Sequence, residues 1–354
     1  MANPVPRQRL YLVFDDWELG YSIRRLNLHR QMAAAVAVDR SERPPPPAVF
    51  RLEAPHDLPM YFAAAFGTTI MAAHPRGSEK APHPLVPEDA VSLFDVRSRA
   101  FSLGPRPSED PRHPMYIDVD GHSLFALGDF TWEVLSKPAP EAIGCSNGEA
   151  APEASREWAW ERLDPPPCDS QRVYAHAVHP DDGTIFISCY SGFHGSSTVT
   201  FGTSCSSKWQ LYGHWMLPFF GRAHFDPELN AWVGISADPM GYVSMCTVPP
   251  LDSDPSTRRS PVAKICKERL YGLDPAEYHV GATLVYMGGS SQFCLVECVF
   301  RDRYLFRVTT FSLKFDINGE LTTGHSSRVQ YYRLPEGNPT DAYAIHRHPV
   351  AFWM

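Results

Sequence analysis

The sequence predicts an all-β fold of small repeated sheets, and three observations predict it. The first is a recurring phrase. Val91–Phe101, VSLFDVRSRAF, runs from an apolar strand through Asp95 and a polar turn to an aromatic six positions later. It returns as His224–Val233, HFDPELNAWV, with Asp226 and Trp232, and as Leu313–Leu321, LKFDINGEL, with Asp316 and a glycine turn but no ring at that offset. A looser version, Val199–Trp209, ends on Trp209. Recurrence of a strand–turn–strand phrase along a long chain is the signature of repeated sheets. The second observation is proline: 34 of 354 residues, roughly twice the usual share of about 5%. Proline breaks helices and central strands, so it favours short elements joined by loops. The third is spacing. Phrase ends fall near Phe101, Trp160, Trp209, Val248 and Leu334, intervals that approach about 40–50 residues per four-stranded blade once insertions are removed. Together these predict a single β-propeller domain over residues 1–354 with about six four-stranded blades, five or seven being the other counts. Radial closure leaves only short, protected sheet edges. The last blade is expected to be shared between the two ends of the chain.

Taken in order, Leu10–Phe14 reads as a strand and Tyr21–Leu28 as its partner, with a helix over Ile23–Val38 as the competing reading because of the alanines at 33–35. Ser41–Pro47, SERPPPP, reads as a stiff connector. Val49–Leu52, Tyr61–Phe66 and Thr68–Ala72 are short strands, followed by the Asp95 phrase and a proline-rich loop at Gly104–Pro114. Met115–Asp118 and Ser123–Leu127 form a hairpin across Asp120-Gly121, a strong two-residue turn signal. Asp129–Leu135 alternates and continues that sheet. Residues 137–156 have the composition of a flexible insertion, and 249–261 that of a charged, Pro/Ser-rich loop. Val173–Val178 and Thr184–Tyr190 pair around Asp181–Gly183; Gly241–Val248 follows the Asp226 phrase. Gly281–Met287 and Phe293–Phe300 are strongly apolar strands, and Leu305–Phe315, Val329–Leu334 and the aromatic tail Ala342–Met354 complete the series.

Composition excludes some functions. Forty acidic against 32 basic residues leave a net charge of −8, which argues against a nucleic-acid footprint or an anionic membrane surface. No stretch approaches the roughly 18 apolar residues of a membrane span, and the apolar run Leu10–Phe14 is too short for a secretory leader. Eight cysteines without a Cys-x-x-Cys pair read as buried reduced thiols. Cys294 and Cys298 share one strand face but have no partner motif for a metal. These features point to the cytoplasm or nucleus.

No catalytic, cofactor or metal residues stand out. His176 and His179 lie three apart and face opposite sides of a strand, so they read as structural; His346 and His348 share a face but lack a third ligand. Ser191–Ser197, SGFHGSS, is not a nucleophile elbow. No phosphate-binding glycine loop occurs. Arg258-Arg259 with Lys264 and Lys267 reads as a solvated basic loop, with nuclear import as the alternative. The repeat residues have structural explanations. Asp95, Asp226 and Asp316 sit at strand ends, where a carboxylate accepts backbone N–H groups and sets a turn. Phe101, Trp209 and Trp232 are expected to pack between blades.

Tyr11–Leu28, YLVFDDWELGYSIRRLNL, and the FD…W phrases resemble a plant family of uncharacterised proteins, abundant in rice and other grasses, that carries only a domain-of-unknown-function label. More loosely the blades are similar to kelch and F-box-associated propellers. No F-box-like segment precedes them here, and Gly288-Gly289 is the lone glycine doublet of the kelch type. The resemblance implies no activity. The expectation is a monomeric, non-catalytic scaffold without cofactors, binding a protein or peptide through loops on a rigid frame. The rivals are a hydrolase-like or sugar-cyclising enzyme with an axial site, and a carbohydrate-binding propeller.

Overall fold

The computed structural model describes residues 8–16, 19–28, 38–54, 61–74, 90–108, 113–136, 158–191, 195–203, 207–251, 258–272, 274–335 and 349–354. The insertion read at 137–156 lies outside them, as do residues 252–257 of the 249–261 loop, residues 29–37 of the alternative helix, residues 192–194, Cys145, Cys205, His346 and His348. Among the described residues regular structure is strand, apart from 3-10 turns at Leu19 and at Ser170–Arg172.

The fold is the expected β-propeller class, and the described residues form six four-stranded antiparallel blades. Blade 1 runs Ala351–Trp353, Leu10–Asp15, Tyr21–Leu26, Ala48–Leu52; the C-terminal strand supplies its first position. Blade 2 is Tyr61–Ala65, Thr69–Ala73, Ala90–Asp95, Phe101–Pro105. Blade 3 is Met115–Val119, Ser123–Leu127, Trp132–Ser136, Trp160–Arg162. Blade 4 is Val173–Val178, Ile185–Ser191, Gly195–Phe201, Trp209–Gly213. Blade 5 is Phe219–Asp226, Ala231–Ser236, Val243–Thr247, Lys264–Ile265. Blade 6 is Tyr278–Gly288, Gln292–Phe300, Tyr304–Ser312, Arg328–Arg333.

The chain falls into two compact units, residues 61–171 and residues 1–60 with 172–354. The smaller holds blades 2 and 3, whose facing sides meet in one apolar cluster of Ala65, Met71, Leu93, Leu124 and Leu135. The Asp120-Gly121 turn of blade 3 has positive φ at both residues, 54° and 66°, and closes with His122 N–H on the Val119 carbonyl at 3.1 Å. That is the mirror-image turn whose twist suits a hairpin, which explains the Asp-Gly choice.

The larger unit packs blades 4, 5, 6 and 1 in succession. Trp232, Phe186 and Phe219 fill the layer between blades 4 and 5; Val233, Leu295 and Phe311 that between 5 and 6; Phe14, Cys294, Val296 and Phe306 that between 6 and 1. Gln292–Phe300 is buried on both faces except at its ends because both its neighbours are apolar layers. This is why QFCLVECVF reads as a continuous apolar run rather than an alternating one. The first strands of blades 4 and 5 touch in parallel, Ala175 beside Gly221 and His176 beside Arg222. This pairing fuses the two blades into one eight-stranded sheet.

Two expectations need correction. Val38–Arg43 forms a strand lying parallel to Arg328–Arg333 on the outer edge of blade 6, so Ser41–Arg43, the first three residues of the connector read at Ser41–Pro47, are strand. The hexapeptide VDRSER carries no apolar alternation, so pattern reading passes over it; the edge of an existing sheet orders it, helped by an Arg301–Glu42 ion pair at 3.2 Å. The recurring Asp phrase, moreover, does not mark one position in the blade. Asp95 ends the third strand of blade 2, Asp226 ends the first strand of blade 5, and Asp316 sits in a small hairpin, Lys314–Phe315 with Leu321–Thr322, outside the four-stranded sheets. The phrase is a local hairpin device, usable wherever two strands meet at a tight turn.

Candidate functional site

The three aspartates share one chemistry. Asp95 Oδ1 accepts from Arg97 N–H at 3.1 Å and Ser98 N–H at 2.6 Å, while Oδ2 accepts the Thr68 hydroxyl at 2.6 Å. Asp226 is fully buried, and its Oδ1 accepts from Glu228 N–H, Leu229 N–H and the Ser291 hydroxyl, the last tying the blade 5 turn to blade 6. Asp316 Oδ1 accepts from Asn318 N–H and Glu320 N–H at 2.8 and 3.0 Å.

The three rings divide. Phe101 and Trp232 occupy the same hairpin position, each opposite the residue before its aspartate: Phe94 pairs Phe101, and Phe225 pairs Trp232. Trp232 lies on the second strand of its blade, is 0% exposed, and stands between blades 4 and 5. Phe101 opens the outermost strand of blade 2 and is 47% exposed, so its expected place between blades is corrected. An outer strand has sheet on one side only, and the hairpin pattern cannot tell an outer strand from an inner one. Trp209 also opens an outermost strand; it is half-buried and lies against Phe201 of its own blade, ring centroids 5.1 Å apart.

The row of first strands holds a cluster that the motif search passed over. His176 of blade 4 and Arg222 of blade 5 stand side by side, with His224 two residues further along the same strand. Arg222 is exposed and His176 is buried. His224 Nε2 lies 2.9 Å from the Leu284 carbonyl on the first strand of blade 6. A carbonyl only accepts, so Nε2 carries the proton there. Burial first, then the Arg222 guanidinium, pushes both imidazoles down to about 3 and keeps them neutral. Beside them Gly221, at φ 74°, has open space where a side chain would stand.

A second cluster is buried in blade 6. The Arg307 guanidinium is paired with Glu297 across the strand pair and with Glu277, at 3.3 Å, from the segment leading into the blade. All three side chains are almost fully buried. Glu297 Oε1 also accepts Gly272 N–H at 3.1 Å and lies 2.7 Å from His279 Nδ1. Burial raises the Glu277 carboxyl, and the Arg307 charge opposes that rise. The network fastens the blade 5–6 connection onto blade 6. A carboxylate holding an imidazole is also a pairing that acid–base chemistry uses.

The third feature is the Asp316 hairpin. Its turn closes with Gly319 N–H on the Asp316 carbonyl, and Lys267 pairs with both Asp316, at 2.6 Å, and Glu320. Ile317 at its tip is 101% exposed, and Phe315, Ile265 and Val262 are exposed nearby in the hairpin and along the 262–267 segment it leans on. Lys267 chiefly, then the Glu320 N–H, holds the Asp316 carboxyl at about 2. The group is depressed in the fold, so its tether is complete above the usual carboxylate range and is lost as pH falls through about 2. A carboxyl-carbon NMR titration is expected to show that midpoint, and Lys267→Met to move it up towards about 4.

The described cysteines Cys168, Cys189, Cys246, Cys266, Cys294 and Cys298 are buried. Burial pushes Cys246 and Cys266 up to about 12, so neither is a nucleophile at neutral pH. Among the described residues no group of three His, Cys, Asp or Glu is placed to hold a metal ion, and no helix is long and apolar enough to cross a membrane.

A family model described as "Protein of unknown function (DUF1668)" matches residues 7–334. No curated protein matches the chain. Among solved structures the chain is similar to a protein of unknown function from Bacteroides caccae, at 9% identity, covering 91% of this chain and 94% of that one with a TM-score of 0.45. It is also similar to a putative 6-phosphogluconolactonase from Bacteroides uniformis (13% identity, 92% and 100% covered, TM-score 0.41). A third is a catalytically inactive virginiamycin B lyase from Staphylococcus aureus with quinupristin (12% identity, 78% and 70% covered, TM-score 0.38). Likenesses this distant carry no argument about activity.

Proposed function

We propose that this chain, which belongs to the DUF1668 family of proteins of unknown function, is a monomeric, non-catalytic interaction scaffold that binds a protein or peptide in the cytoplasm or nucleus of a plant cell. The observation that carries the reading is the Asp316 hairpin: a fully exposed isoleucine held on a turn that two backbone bonds to Asp316 and a double ion pair to Lys267 make rigid. Burying an aliphatic side chain of that size contributes about 1.5–3 kcal/mol, which the isolated chain does not realise. Presenting it on a pre-ordered turn spares a partner the entropy of ordering the loop. Phe315 of the same hairpin and Ile265 of the neighbouring segment are each 41% exposed.

The test is affinity purification from a plant-cell extract with wild-type protein and Ile317→Lys, quantified by mass spectrometry. The expected result is a reproducible partner whose recovery drops about tenfold or more in the variant, as for a contact at the centre of an interface. An unchanged melting temperature is expected, because Ile317 supports no other part of the fold. Identical partner sets for the two proteins, or no reproducible partner for either, would overturn the reading.

A further inference from the structure

The strand Val38–Arg43 stands outside the four-stranded pattern. It is a fifth strand on blade 6 and runs parallel to Arg328–Arg333, whereas strands within the blade alternate in direction. Its sequence, VDRSER, holds no aliphatic or aromatic side chain after Val38, so apolar burial contributes little to holding it. Its pairing is irregular: it takes four steps, Val38 to Glu42, where blade 6 takes two, Val329 to Tyr331. Glu42 stands opposite Tyr331 and pairs with Arg301 at 3.2 Å, the two side chains being 31% and 35% exposed. An exposed pair of this kind is a weak tie. Arg43 stands opposite Tyr332. The edge underneath is apolar: Tyr331 packs with Val299 and Leu305, and Tyr332 belongs to the layer between blades 6 and 1. Beyond Arg43 the chain is anchored, because Arg24 of blade 1 donates to the Pro46 carbonyl at 2.8 Å.

We propose that the outer edge of blade 6 is a docking site for an extended peptide of a partner protein, and that Val38–Arg43 is a strap which the partner displaces. The ligand binds by strand addition: groups of Arg328–Arg333 that face away from Tyr304–Ser312 bond the new backbone, and alternating side chains set the choice. The strap itself shows the orientation and chemistry that the edge accepts. The ligand runs parallel to Arg328–Arg333, carries a carboxylate where Glu42 meets Arg301, and places a β-branched residue where Arg43 stands opposite Tyr332. Such a strand keeps the ion pair and adds an apolar cross-strand contact beside Tyr332. The tether gives the strap a high local concentration, and its irregular pairing lets a better-patterned strand compete with it. A basic segment is unsuited, because it would face Arg301.

The experiment is fluorescence-anisotropy titration of the full chain with a labelled heptapeptide of alternating glutamate and valine. The control is the same peptide with proline at its centre, which cannot donate to the edge there. The expected result is saturable binding of the first peptide only. Glu42→Arg turns the tie of the strap into a repulsion and should tighten binding about tenfold. Arg301→Glu loosens the strap as well but repels the peptide, so it should weaken binding about tenfold or more. Both changes lie at the rim and should leave the melting temperature nearly unaltered, so altered binding is not lost folding. Hydrogen exchange read by mass spectrometry is the second measurement. Amides of residues 38–43 should exchange faster with peptide bound, while those of 328–333 stay protected. The proposal is overturned by no saturable binding to Glu42→Arg, by binding that Arg301→Glu leaves unchanged, or by unaltered exchange over 38–43 with peptide bound. None of these results bears on the partner recovery measured with Ile317→Lys, so the two readings stand or fall separately.

Discussion

Trp232→Ala is expected to destabilise the protein by about 3–5 kcal/mol, the cost of truncating a large ring in a core that cannot collapse around the void. The indole is 0% exposed, its N–H donates to the Val178 carbonyl of blade 4 at 3.1 Å, and its ring meets Phe186 edge-on at 5.1 Å. Truncation therefore opens a cavity between two blades and leaves a buried carbonyl without its donor. The matched control is Phe101→Ala, at the equivalent hairpin position but 47% exposed. It should cost less than about 1 kcal/mol, as surface changes do. Urea denaturation of the two variants is the measurement. Similar losses for both would mean that the hairpin, not the packing between blades, sets the contribution of the ring.

Arg307→Ala is the second large effect, also about 3–5 kcal/mol. The change removes the guanidinium that pairs with both Glu297 and Glu277, whose side chains are 1% and 3% exposed. Two buried carboxylates would then lose that charge, and the segment that Glu277 fastens would be released. The double variant Arg307→Met with Glu297→Met should recover much of the loss, because apolar side chains of similar volume replace a buried pair at little cost. Calorimetric melts of the single and double variants at neutral pH decide this. A single variant within about 1 kcal/mol of wild type would show that the network is wetter than its burial indicates.

The two effects differ in how far the sequence announces them. The FD…W phrase marks Trp232 because turn chemistry and ring spacing are local, readable over ten residues. It marks Phe101 equally well, and Phe101 is on the outside. Arg307 and Glu297 stand opposite one another across a strand pair, but each is the one charge in its strand: YLFRVTTFS and QFCLVECVF. A lone charge in such a run signals a buried partner without naming it. His176 reads as structural, and its cross-blade neighbour Arg222 lies more than forty positions away in the chain. The Ile317 tip carries a turn signal, Asp-x-x-Gly, but its full exposure follows from the hairpin lying outside the blades.

By itself the sequence determined the class of fold, the short strands, the tight Asp turns and a first blade completed from the C-terminus, because proline content, alternation and turn chemistry act over neighbouring residues. Only the tertiary structure decided which strands are inner and which outer. With that it decided which rings are core and which charges are buried together. Those properties belong to pairs of residues far apart in the chain, and burial is settled by what packs on the far side of a strand.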